Sequence, residues 1–300
     1  MPELPDVELY REALEARVKG ATLRTVVLKN PFVLRTALPP LDALFGKTVR
    51  GVSRLGKRIV FEFDDDYFLV VHLMIAGRLQ WVPEGGKAPA RITLALLTFS
   101  TGTLALTEAG TKRRAALHCV HGRKALAEFD PGGLEVLTAT PKDFAGRLRD
   151  ENHTLKRSLT DPHIFSGIGN AYSDEILHRA RLSPLTLTQK LKDDEVARLY
   201  EATRGVLTEW TARLREQAAG AFPTKVTAFR PEMAVHGRFK APCPVCGAPV
   251  QRIVYAENEA NYCARCQTNG VVLADRALSR LLHKSYPRTL QKTSLGDAET

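Results

Sequence analysis

The sequence predicts an α+β protein, and three observations carry that prediction. Residues 1–125 hold one helical stretch followed by many short β-type runs. Residues from about 141 to 219 carry helical periodicity. Residues 241–267 hold two C-x-x-C pairs separated by β-type sequence, which is how a small metal-binding hairpin is built.

The leading helix is read from ELYREALEARV, where Leu9, Ala13, Leu14 and Val18 recur at helical spacing. Pro2 and Pro5 come just before it, where proline does least harm to a helix. The runs TLRTVVL, RIVFEF, FLVVHL, ITLALLTF and TLAL follow, punctuated by Gly, Pro and Asp clusters. Short strands with punctuated turns predict a sandwich or a barrel. Asp130-Pro131-Gly132-Gly133 breaks the pattern and marks a boundary. Beyond it the helical pattern is strongest in DEVARLYEATRGVLTEWTARLREQ, with interruptions at Pro162 and at Gly167–Asn170. Residues 220–240, with Pro223 and Pro231, read as a loop. We expect domains at 1–130 and 131–240, the metal hairpin at 241–267, and an extension at 268–300.

Composition narrows the class. Hydrophobic residues at 44% and charged residues at 25% of 300 exclude wholesale disorder. No apolar run reaches the roughly 18 residues a membrane helix needs, so no membrane partner is expected. The opening MPELPDVELYREALEARV has acids where a secretion signal needs Lys or Arg and an apolar stretch. Lys and Arg total 43 against 33 Asp and Glu, a net charge of +10 that suits a polyanionic partner such as nucleic acid.

Cys243-x2-Cys246 and Cys263-x2-Cys266 have the spacing of a tetrahedral zinc site. Sulfur fills all four positions, so the metal, one zinc per chain, is structural. Cys119 is left over and reads as a small buried residue. At the other end of the chain, removal of Met1 leaves Pro2 as a terminal secondary amine. An α-amine titrates near ~8, so a useful share is unprotonated at neutral pH. It can attack an aldehyde or sugar C1′ to give an imine, and Glu3 beside it can move protons. Taken alone, Pro2 is helix punctuation and Lys57 a solvated hairpin lysine.

The motifs together are more specific than any one of them. Pro2-Glu3-Leu4-Pro5-Asp6-Val7-Glu8, Arg54-Leu55-Gly56-Lys57, Gly167-Ile168-Gly169-Asn170-Ala171-Tyr172-Ser173-Asp174-Glu175-Ile176 and Val235-His236-Gly237-Arg238 leading into the cysteines occur in that order. The chain in this respect resembles the formamidopyrimidine-DNA glycosylase / endonuclease VIII family over roughly residues 2–267. The resemblance implies an N-terminal β-sandwich with a leading helix, a helix–two-turn–helix domain and a zinc-ribbon hairpin. It implies base-excision repair: removal of oxidised or ring-opened bases from double-stranded DNA and nicking at abasic sites. Pro2 would be the nucleophile, Glu3 the general acid and base, and Lys57 a contact to phosphate or sugar. Lys156 and Asn170 would hold the DNA backbone. It further implies a monomer in the bacterial cytoplasm, associated with the nucleoid. The alternative of the same fold is a damage-recognising DNA-binding protein with weak or lost glycosylase activity.

Several positions depart from the family pattern. Asp6 stands where the family has Glu. Ile75, with Met74 beside it, stands where a methionine fills the space left by a flipped base. The loop Thr107–Ala116 supplies Arg113 and Arg114, either of which would face the orphaned base, but no Phe wedge. Asn258 replaces an arginine at the hairpin tip, and residues 220–234 make a short capping segment. Arg276, Arg280, Lys284, Arg288 and Lys292 form a basic stripe in the extension, read as a solvated face.

Overall fold

The computed structural model describes residues 1–83, 86–110, 112–224, 226–227, 229–255 and 258–273. The basic stripe of the extension and the tip residues Ala256 and Glu257 lie outside the described residues. The chain forms two compact units, each assembled from three stretches. The first comprises residues 1–139, 161–169 and 207–228, and the second 140–160, 170–206 and the remainder from 229.

The first unit opens with α1 (Leu4–Val18). Eight strands follow: β1 (Leu23–Leu28), β2 (Val49–Leu55), β3 (Arg58–Phe63), β4 (Tyr67–His72), β5 (Gly77–Val82), β6 (Thr93–Phe99), β7 (Gly102–Glu108) and β8 (Ala116–His121). They form two antiparallel four-stranded sheets, ordered β1-β6-β7-β5 and β2-β3-β4-β8. The sandwich is therefore the outcome, not a barrel. Alternation decides which side chains meet. Ile59, Phe61 and Phe63 of β3 join Leu97 and Phe99 of β6 and Leu104 and Leu106 of β7 in one core. Val60 points the other way, with Phe68, Val70 and Val120, and meets Leu126 of the short helix α2 (Arg123–Ala127).

α1 buries Val7, Tyr10, Leu14 and Val18 in the sandwich core. Its first turn is closed by Asp6, whose Oδ2 accepts from the Glu3 N–H at 3.1 Å. The shorter acid at this position thus still reaches the backbone it caps. Phe222 packs near Tyr10 and Trp81, at ring-centroid distances of 5.8 and 6.4 Å, anchoring the start of the predicted loop 220–240.

β2, β5 and β8 fall outside the five runs that read as strands. All three are outermost in their sheets. An edge strand carries polar residues and needs no continuous apolar run, as VRGVSRL in β2 illustrates.

The second unit holds α3 (Pro141–Arg149), α4 (Leu155–Thr160) and α5 (Asn170–Ala180). The 26-residue α6 (Asp193–Ala218) belongs to it as far as Val206 and to the first unit from Leu207. The hairpin β9 (Val250–Tyr255) and β10 (Asn258–Cys263) ends in the short α7 (Ala264–Gln267). Thr140 caps α3, its hydroxyl accepting from the Asp143 N–H at 3.2 Å. α5 is buried over nine of its residues, because it packs on both α4 and β10. No described helix is long and apolar enough to cross a membrane.

Candidate active site and metal centre

Glu3 is the residue immediately before α1 and is buried, at 2% exposure. The Gly169 N–H donates to its Oε2 at 2.6 Å. Two residues earlier in the same turn, the Gly167 carbonyl accepts from the Leu4 N–H at 2.9 Å. Both glycines have steric reasons to be there. Gly167 has φ +79°, and a Cβ on Gly169 would lie 2.5 Å from the Glu3 carboxyl carbon. The Gly-Ile-Gly motif therefore seats the N-terminal carboxylate. Pro2 is buried, whereas Met1 is 37% exposed. The Met1 amine is held below its usual pKa, first by burial and also by Arg78 and Lys57, against the opposing pull of Glu3 and Asp6.

Lys57 occupies the two-residue turn between β2 and β3. Gly56 comes first in that turn at φ +59°, the conformation a tight hairpin of this kind requires. Arg54, at the start of the motif, is buried among carboxylates. With Arg11 it holds the Glu8 carboxyl below the usual range, overcoming the burial that would raise it. His72, at the end of β4, is pushed down to about 4 by burial, with Arg58 and Lys57 adding to the effect. It is a neutral imidazole at physiological pH.

The chain turns sharply between β4 and β5. Met74 adopts φ +53°, and Ile75 projects outward at 55% exposure. Gly77 is required here, because a Cβ would lie 2.3 Å from the Leu73 carbonyl oxygen. Beside this turn, a Cβ on Gly110 would lie 3.5 Å from the Ala76 Cβ, an ordinary van der Waals contact. Arg113 and Arg114 are both exposed on that loop. The Arg113 guanidinium donates to the Arg91 carbonyl at 3.3 Å. Glu108, at 1% exposure, fixes the loop base by accepting from the N–H groups of Arg114 and Ala115 at 2.9 and 3.0 Å.

In the second unit, Asn170 is the first residue of α5. Lys156 does not present an open ammonium. Its Nζ donates to the Asn170 carbonyl at 2.7 Å, to Ser173 Oγ at 2.8 Å and to Asp174 Oδ1 at 2.6 Å. Those three bonds match its three donors, so in this conformation Lys156 braces the start of α5. Asp174 uses its other oxygen on His236 Nδ1, at 2.8 Å. Glu175 accepts from the N–H groups of Ala234, Val235 and His236 at 2.7, 2.9 and 3.0 Å. Sequence reasoning missed Glu108 and the structural work of Asp174, Glu175 and His236. The motif Ser173-Asp174-Glu175 carried a signal, since consecutive acids in a buried helix need partners.

The four cysteines converge. All four Sγ atoms lie within 4.8 Å of one another, with Cys246–Cys263 at 3.4 Å and Cys243–Cys266 at 3.9 Å. Zinc–sulfur bonds of about 2.3 Å in a tetrahedron place sulfurs about 3.8 Å apart, so this cage fits one zinc ion. Burial pushes the Cys263 thiol up to about 11 in the absence of a cation. A divalent ion reverses that preference and holds the thiolates deprotonated. His178 of α5 places Nε2 3.3 Å from Cys243 Sγ, a partner outside the C-x-x-C pattern that ties the cage to the helix. Chelation should release one zinc per chain and unfold the hairpin, while the sandwich, which has its own core, keeps its β-sheet circular dichroism. Native protein without zinc, or a hairpin that survives its removal, would contradict this assignment.

A sandwich with a buried acid beside Pro2, a glycine turn that seats that acid, and a helical unit bearing a four-thiolate hairpin are the architecture of a zinc-finger base-excision glycosylase. Family models agree along the chain. Residues 1–117 match the formamidopyrimidine-DNA glycosylase N-terminal domain, 134–217 its H2TH domain, and 241–269 the zinc finger found in FPG and IleRS. The formamidopyrimidine-DNA glycosylase of Thermus thermophilus is 34% identical over 280 residues, covering 90% of this chain and 100% of the relative. The Lactococcus lactis Fpg in complex with DNA containing an abasic site superposes with a TM-score of 0.78 at 26% identity, covering 89% of this chain and 99% of that one. The same enzyme with a FAPY-dG-containing DNA gives a TM-score of 0.79 at 26% identity, with coverage of 89% and 100%. The chain belongs to the formamidopyrimidine-DNA glycosylase family.

Proposed function

We propose that the chain excises damaged bases from double-stranded DNA and then cleaves the strand at the abasic site, with Pro2 as nucleophile. The observation that carries this reading is the enclosed Glu3 carboxylate directly beside Pro2, anchored by the Gly169 N–H. Once Met1 is removed, the Pro2 nitrogen has a basic lone pair.

Attack on C1′ forms the N–C1′ bond and breaks the bond to the base, which departs as an anion and is protonated by water. Glu3 takes the N–H proton of the new ammonium and passes it to the ring oxygen as the sugar opens to the iminium. A C2′ proton then leaves and the 3′ phosphate departs by elimination, with a carboxylate again serving as base. Water releases the sugar remnant and restores the amine. Lys57 contributes positive charge where phosphate or sugar must sit. The DNA bound by the Lactococcus enzyme, with an abasic site or a FAPY lesion, supports this substrate class. Asn170, with Lys156 bracing it, is proposed to hold backbone phosphate. Ile75 with Arg113 or Arg114 would enter the opened helix.

The altered wedge predicts the substrate range. Ile75 is exposed and apolar but shorter than methionine, and no aromatic accompanies Arg113 and Arg114. An aromatic stacked on a base is worth ~1–3 kcal/mol. Its absence penalises lesions that remain paired and stacked and spares those already extruded. Single-turnover cleavage of an abasic-site duplex should therefore exceed excision of 8-oxoguanine opposite cytosine by about 5- to 150-fold, the rate equivalent of that stacking loss. Equal or faster 8-oxoguanine excision would overturn this range, and an inert protein on both duplexes would overturn the function.

A further inference from the structure

Arg54 lies at the end of β2, only 8% exposed at its side chain, and spends its donors on four different segments. Its Nε donates to Glu8 Oε1 of α1 at 2.8 Å. Nη1 donates to the Gly56 carbonyl, in the turn that carries Lys57, at 2.8 Å and to Ser166 Oγ at 3.4 Å. Nη2 donates to Glu135 Oε2 at 2.5 Å. Ser166 is itself hydrogen-bonded to Glu135 and directly precedes the Gly167–Gly169 turn that receives Leu4 and donates to Glu3.

We infer that Arg54 is a positioning residue for the proposed lyase site, setting the Lys57 turn and the Glu3 seat from a single guanidinium. The inference rests on the function proposed above and adds a residue that touches no reacting atom. Geometry requires arginine. Only a planar fork with five N–H donors can reach two carboxylates, a carbonyl and a hydroxyl at once, whereas a lysine ammonium has three donors at one point. The two acids offset the cost of burying the cation, and neither Glu8 nor Glu135 is then left as an unpaired charge. α1, the β2–β3 turn and the glycine turn are distant in sequence, and Arg54 is where their side-chain hydrogen bonds meet.

A double-mutant cycle on abasic-site DNA tests this. Arg54→Lys keeps the charge and loses the fork. It should lower the single-turnover cleavage rate about 10-fold or more, as displacements of about 1 Å at a reacting site do. Combined with Lys57→Ala, its cost should shrink by at least about 5-fold, because part of what Arg54 positions is gone. DNA affinity and zinc content should stay at wild-type levels. Glu135→Gln, which keeps the shape and removes one acid of the pair, should give the same non-additive pattern, and it carries the cycle if Arg54→Lys does not fold. Costs that multiply to within about 2-fold in the Lys57→Ala background would overturn the inference. A wild-type protein inert on the abasic duplex would instead overturn the proposed function on which it rests.

Discussion

A chain that keeps Met1, or any residue ahead of Pro2, will form no reducible adduct with abasic-site DNA. While Met1 is attached, the Pro2 nitrogen is an amide, and its lone pair is delocalised into the carbonyl. Removing Met1 converts the same atom into a secondary amine. The comparison should be made on one chain, carrying a cleavable N-terminal extension and assayed before and after its removal. We expect borohydride trapping to rise by at least about 10³-fold on processing, since the alternative is loss of covalent catalysis altogether. An extended chain that traps as well as the processed one would remove Pro2 from the mechanism and point to a side-chain amine such as Lys57.

The second large effect concerns proton transfer. Glu3→Gln should reduce base excision by about 10²- to 10⁴-fold, the range that a positioned acid or base contributes. The substitution is close to isosteric, and its amide oxygen can still accept from the Gly169 N–H that now bonds Oε2. Folding and binding of abasic-site DNA should therefore be retained. A Glu3→Gln protein that excises bases at the wild-type rate would leave the enclosed carboxylate without the chemical role assigned to it. Loss of activity together with loss of the folded sandwich would show instead that the residue serves the helix start.

Why some of this was legible in the sequence and some was not follows from where each contact lies along the chain. The cysteine cage and the N-terminal pair are local patterns. The C-x-x-C spacing places two sulfurs on each turn, and Pro2 and Glu3 are adjacent. Central strands such as β3 and β6 were readable because most of their residues are buried, which requires apolar sequence. The edge strands β2, β5 and β8 carry no such requirement.

Contacts between distant segments leave little trace. Nothing near Glu3 indicates that Gly169, 166 residues away, will donate to it. Nothing near Arg54 marks Glu135, 81 residues away, as its partner. Lys156 is a further case: the family resemblance implies that it holds the DNA backbone, and in this conformation its three donors go to Asn170, Ser173 and Asp174, contacts that nothing beside it in the sequence marks. The membership of residues 161–169 in the first unit is set by contacts of this kind, such as Leu4 N–H to the Gly167 carbonyl.

In the proposed mechanism the Pro2 amine, freed by removal of Met1, is the group that becomes bonded to the sugar. Borohydride reduction of the complex with an abasic-site duplex, followed by nuclease and protease digestion and fragmentation mass spectrometry, locates that bond. A sugar remnant is expected on the nitrogen of Pro2, in a peptide that begins at Pro2 and lacks Met1. A remnant on Lys57 or on any other lysine, with Pro2 unmodified, would contradict it.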